Sequence, residues 1–114
     1  GVLTCALPIF YHGFVLGLLV ELRDKYEVRS NRESGYGRYD VMLIPRQKNQ
    51  LAFVLEFKVY DAQEELKLED TVQSALVQIE EKHYDTELIE RGSSKSKIRH
   101  YGFAFEGKKV LIGE

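Results

Sequence analysis

Residues 51–59 read LAFVLEFKV, apolar except for Glu56 and Lys58. A β-strand sends alternate side chains to opposite faces. Leu51, Phe53, Leu55, Phe57 and Val59 then share one face, and Ala52, Val54, Glu56 and Lys58 share the other. Both faces begin apolar, as in a central strand covered on two sides. A carboxylate and an ammonium at the end of such a strand cost several kcal/mol, roughly, unless they are paired or bind something. From this strand alone three readings stand: a structural ion pair, a strand end that has reached solvent, or a binding site.

The rest of the chain has to cover that strand. At 114 residues it makes one domain at most, and with 44 % hydrophobic residues it can build a core. The formal net charge of -2 gives no global positive field, so a polyanion would need a local basic patch. The single cysteine, Cys5, excludes an internal disulfide and a zinc ribbon, which fits a reducing, cytoplasmic setting. The longest uncharged apolar run, near the N-terminus, is broken by His12 and two glycines and is too mixed for a transmembrane helix. Residues 1–9, GVLTCALPI, lack a positive n-region, and Ala6-Leu7-Pro8-Ile9 is what the end of a common sequencing adapter encodes in one frame. They are expected to be a non-native leader, with the domain proper at 10–114.

Apolar residues at 10, 14, 18 and 22, beside a row at 11, 15 and 19, predict a helix over 10–24. Residues 26–30 and 40–44 predict two strands, separated by the polar glycine-containing stretch 30–39. The central strand follows the turn at 46–50. Asp61, with Glu64 three residues on, marks the expected start of a long helix. Its apolar stripe is Leu68, Val72, Ala75, Leu76, Ile79 and His83, with Gln78 and Lys82 beside it. Residues 92–97 form a loop; 98–105 and 108–112 are the last strands. The order is αβββαββ: an α/β mixed sheet with helices on both faces.

If the turn at 46–50 pairs its flanking strands antiparallel, Asp40 comes to the end that carries Glu56. Two carboxylates and the Lys58 ammonium then meet on one patch. Such oxygen ligands suit a hard cation, Mg²⁺ or Mn²⁺, which lowers the pKa of a bound water and neutralises charge on a phosphate.

Asp40, a 15-residue gap, then Glu56-Phe57-Lys58 resembles the D-x(n)-E-x-K signature of the PD-(D/E)XK nuclease superfamily. YHGFVLGLL, SNRESGYGRYD, LEFK, QIEEKHY and YGFAFEGKKVLI resemble the branch found C-terminal to AAA-ATPase-like regions in bacterial proteins. The resemblance spans residues 10–112 and implies a restriction-endonuclease-like core that cleaves DNA. It implies that Asp40 and Glu56 are metal ligands, Lys58 the catalytic lysine, and Gln78 a helix residue facing the site. The familiar Q-x-x-x-Y pattern is altered: Lys82 stands four after Gln78, and the tyrosine is Tyr84. Tyr39 stands where a proline is usual. Pro8 and Ile9 occupy the stretch where many branches carry an acidic residue, and Glu21 lies too far along to replace it. Arg32, Arg38, Lys95, Lys97 and Arg99 are the candidate phosphate contacts, each alone also readable as a solvated surface charge. The alternatives to a nuclease are a catalytically silent nucleic-acid-binding or regulatory module beside an ATPase domain, and a structural domain in which Glu56 and Lys58 pair with each other.

Overall fold

A computed structural model describes residues 9–32 and 38–114, with side chains over 13–30 and 38–114. Helix α1 (Ile9–Leu22) precedes three strands, β1 (Tyr26–Arg32), β2 (Arg38–Pro45) and β3 (Ala52–Val59). Helices α2 (Leu68–Lys82) and α3 (Tyr84–Glu90) and a 3₁₀ turn (Lys95–Lys97) lead to the hairpin β4 (Ile98–Glu106) and β5 (Lys109–Gly113). The five strands lie in sequence order in one sheet. Pairing is antiparallel for β1–β2, β2–β3 and β4–β5, and parallel for β3–β4. The helical crossover from β3 to β4 is what allows that parallel pair. The sheet is mixed and helix-flanked, the α/β restriction-endonuclease-like core that the element order implies.

One face of the sheet is apolar and rich in aromatic rings. Val41, Leu43, Leu55, Phe57, Phe103 and Phe105 bury against Val15 of α1, with Phe14, Leu18, Leu19 and Leu22 packed beside them. Phe14 meets Phe105 edge-on at 5.4 Å between ring centroids, a favoured aromatic geometry. On the other face, Met42, Ile44, Ala52, Val54 and Ile98 pack under Ile79 of α2 and Leu88 of α3. The strand period of two thus sends adjacent residues of β2 and β3 to different cores.

Several boundaries differ from the pattern. Asp61 opens a single turn, not the helix: its carbonyl accepts from the Glu64 and Glu65 amides and its carboxylate from Gln63 N. Helix α2 starts at Leu68, where Asp70 reaches back to accept from the Leu66 and Lys67 amides. The expected long helix breaks at His83, which takes the left-handed conformation at φ 55. Helix α1 runs from Ile9 to Leu22, two residues short of its expected end. Strand β1 continues to Arg32 and β2 begins at Arg38, so both take residues from the expected loop. Most of the expected leader, residues 1–8, and residues 33–37 lie outside the described residues.

Gly102 sets the height of α2 over the sheet. A Cβ there would lie 2.9 Å from the Val72 carbonyl oxygen and 3.2 Å from Ala75 Cβ. Glycine permits this close backbone approach where alanine would clash. Gly102 pairs with Glu56 across β3–β4, so the same contact places α2 beside the carboxylate.

Candidate metal and nucleic-acid site

The β2–β3 register sets Asp40 directly opposite Glu56 and Arg38 opposite Lys58. All four lie on the face that α2 and α3 cover. Cross-strand partners stand about 5 Å apart at Cβ, so the four form a compact block of two carboxylates and two cations. Asp40 is 3 % exposed and Glu56 is fully buried. Two like charges buried together need cations close by.

Those cations are present. Lys82 Nζ donates to Asp40 Oδ2 at 2.8 Å and lies 3.9 Å from Glu56 Oε1. Arg38 Nε lies 3.9 Å from Glu56 Oε2 on the other side. Lys58 turns away from both carboxylates and ion-pairs with Glu65 at 2.5 Å. Glu65, itself buried, also accepts from Thr71 Oγ1 at 2.8 Å and from the Asp61 amide at 2.9 Å. Burial pushes the Glu65 carboxyl up, but the Lys58 ammonium, the Asp61 amide and the Thr71 hydroxyl outweigh it, and the net shift is downward. The expected alternative in which Glu56 and Lys58 pair with each other does not form, since Lys58 is given to Glu65.

Asp40 also lines an open cleft of about 240 Å³ with Arg29, Ser30, Met42, Tyr84 and Glu87. Two larger cavities, about 310 and 440 Å³, lie around Arg46 and Gln47 at the far end of β2, away from the paired carboxylates. Size favours those cavities. The chemistry favours the smaller cleft, because there a buried carboxylate faces open space.

The other sequence candidates distribute unevenly. Gln78 is half-buried on α2, and its amide donates to Glu81 at 3.3 Å on the same helix. Lys82, one turn further along, is the α2 residue at the carboxylates. Tyr84 borders the Asp40 cleft, while Glu21 is exposed on α1. Lys95, Lys97 and Arg99 do not ring the carboxylates. Ile98 pairs with Ala52, so they gather at the opposite end of β3, four residues or about 13 Å along the strand from Glu56. There Lys97 Nζ donates to Asn49 O and Arg99 to Ser96 O. Arg38 turns inward to Glu56, and Arg32 contributes backbone to β1, its side chain lying outside the described set. Sequence reasoning missed Lys82, Glu65 and Thr71 as members of this cluster. Lys82 carried a faint signal, four residues after Gln78 on the same row.

The donor set fits a divalent cation. Asp40 and Glu56 offer hard oxygens on facing positions, and an ammonium at 2.8 and 3.9 Å already marks the gap between them as a place for positive charge. Among the described residues, no group of three His, Cys, Asp or Glu converges to hold a metal.

A five-stranded mixed sheet flanked by helices, with an Asp and the Glu of a Glu-x-Lys facing each other on its central strands, defines a restriction-endonuclease-like domain. The family model of the PD-(D/E)XK nuclease superfamily matches residues 9–114, and the chain belongs to that superfamily. Its members are generally nucleases and usually use divalent metals. Neither the curated proteins nor the solved structures yield a match to this chain. Among the described residues, no helix is long and apolar enough to cross a membrane.

Proposed function

We propose that the domain is a metal-dependent nuclease that hydrolyses phosphodiester bonds in DNA, with Mg²⁺ or Mn²⁺ held by Asp40 and Glu56. The observation that carries this reading is the cross-strand pairing of Asp40 with Glu56, buried beneath α2 and open to a cleft at Asp40. The metal supplies Lewis acidity and a water of lowered pKa. Asp40 and Glu56 fix its position. Lys58 orients the attacking water or donates to the developing anion, which requires its head to leave Glu65. Arg38, on the strand position opposite Lys58, is the phosphate contact that lies nearest the carboxylates. Lys95, Lys97 and Arg99 serve a more distant stretch of the nucleic acid. Gln78 acts from α2 if its amide exchanges Glu81 for the site.

The motif resemblance supports a setting beside an AAA-ATPase-like region in a bacterial, cytoplasmic protein. A second reading, a catalytically silent nucleic-acid-binding or regulatory module, is favoured by one observation: Lys58 is clamped by Glu65.

Incubation of the purified chain with duplex DNA, single-stranded DNA and RNA in Mg²⁺ or Mn²⁺ tests the proposal. Cleavage of DNA is expected. Asp40→Asn, Glu56→Gln and Lys58→Met should each lower the rate by a factor on the order of 10³ or more, as loss of one member of a cooperating site does. Cleavage by Glu56→Gln at the wild-type rate would reject the assignment. Metal-dependent DNA binding without cleavage would favour the silent module.

A further inference from the structure

The Lys82 ammonium stands between Asp40 and Glu56, 2.8 Å from one and 3.9 Å from the other. That is the place the proposed metal would take. Lys82 belongs to the last turn of α2, just before His83 ends the helix in the left-handed conformation. Its side chain is 21 % exposed, whereas the two carboxylates are almost fully enclosed. The stem therefore reaches in from the rim, and the head can return to water without uncovering the core. A lysine head is a compact, strongly hydrated charge on a flexible stem, suited to such an exit. Arg38 approaches Glu56 from strand β2 at 3.9 Å, and its Nε is buried.

We propose that Lys82 is a resident counter-ion of the Asp40–Glu56 pair and that a divalent cation binds by expelling it. The inference rests on the reading that this pair holds a metal. Without metal, Lys82 offsets the repulsion between two buried carboxylates and keeps them facing each other. A divalent cation on the same oxygens meets the ammonium as a like charge, so the two occupy the pair in turn. The apparent metal affinity is then the intrinsic affinity multiplied by the fraction of molecules in which Lys82 has already left. Lys82 acts by positioning the carboxylates and by setting a threshold for metal.

Two measurements on the full chain test this. Calorimetric titration with Mn²⁺ compares wild type, Lys82→Gln and Asp40→Asn. Lys82→Gln should bind Mn²⁺ about tenfold or more tightly than wild type, since the competing charge is gone. In the wild type itself, acylation of lysines by an N-hydroxysuccinimide ester, read by peptide mass spectrometry, should speed up several-fold at Lys82 on adding Mn²⁺, relative to exposed Lys48. The second measurement needs no variant to fold. If wild type binds Mn²⁺ through Asp40 but Lys82→Gln binds no tighter, or labelling at Lys82 stays constant or slows, the competition is overturned while the metal site stands. If Asp40→Asn binds Mn²⁺ as wild type does, or none of the three proteins binds it, the metal reading and this inference fall together.

Discussion

Glu56 and Phe57 are neighbours in the chain, both fully buried, and belong to different regions of the molecule. Phe57 points to the α1 face, where Phe14, Phe103 and Phe105 surround it with rings at 4.7 to 6.3 Å. Glu56 points to the α2 face, where Asp40, Lys82 and Arg38 surround it with charge. Equal burial therefore has opposite meanings. On the aromatic face, burial removes apolar area from water and stabilises the fold. On the charged face it desolvates carboxylates, which costs stability and strengthens every local electrostatic interaction. One strand packs the aromatic core with its odd residues and carries the buried carboxylate of the candidate site among its even ones.

The widest contrast comes from cutting each neighbour back. Phe57→Ala should cost about 3–5 kcal/mol in guanidinium unfolding, the usual loss for a core phenylalanine. Glu56→Gln keeps the volume and leaves Asp40 to hold Lys82, so its cost should be about 1 kcal/mol. Equal costs would erase the distinction between the faces.

Gly102→Ala comes next, because it disturbs the charged face through packing alone. The new methyl meets the Val72 carbonyl and must push α2 off the sheet. A loss of about 1–3 kcal/mol is expected, the scale of overpacking. An unchanged unfolding midpoint would show that Gly102 does not set the height of α2.

The smallest effect is electrostatic. Glu65 has its pKa lowered in the folded protein, so its stabilising contribution is full above the usual glutamate value near 4.5 and fades as pH falls through the lower folded value. Glu65→Gln should flatten the decline of stability in that acid window relative to wild type. Parallel acid limbs for the two proteins would mean that Lys58 and Thr71 do not hold the carboxylate as described.

The sheet was legible because alternation at 51–59 has only one two-faced solution, and because the short polar turn at 46–50 forces β2 and β3 to pair antiparallel. That pairing brought Asp40 to Glu56 from sequence alone. The helical side of the site was less legible. Asp61 and Glu64 have the spacing of a cap, yet Asp61 closes only one turn, and nothing in the propensity of His83 announces a left-handed residue. Whether Gln78 or Lys82 reaches Asp40 depends on where α2 sits along the sheet. One turn of helix is about 5.4 Å, so a small slide exchanges the two, and its position is set by contacts such as Val72 on Gly102, which join distant segments. The Lys58–Glu65 pair was hidden for a similar reason: it forms between a strand and the turn after it, and no periodicity reports that meeting.

If Asp40 and Glu56 hold a cation on the charged face, that cation must stabilise the fold through Asp40. Thermal melts of wild type and Asp40→Asn, each with and without Mn²⁺ at matched ionic strength, test this most directly. A cation that binds only the folded chain stabilises it by about 2.7 kcal/mol at a hundredfold excess over Kd. The wild-type Tm should rise with Mn²⁺, and the Asp40→Asn Tm should stay where it was. Equal shifts in the two proteins, or none in wild type, would contradict the account.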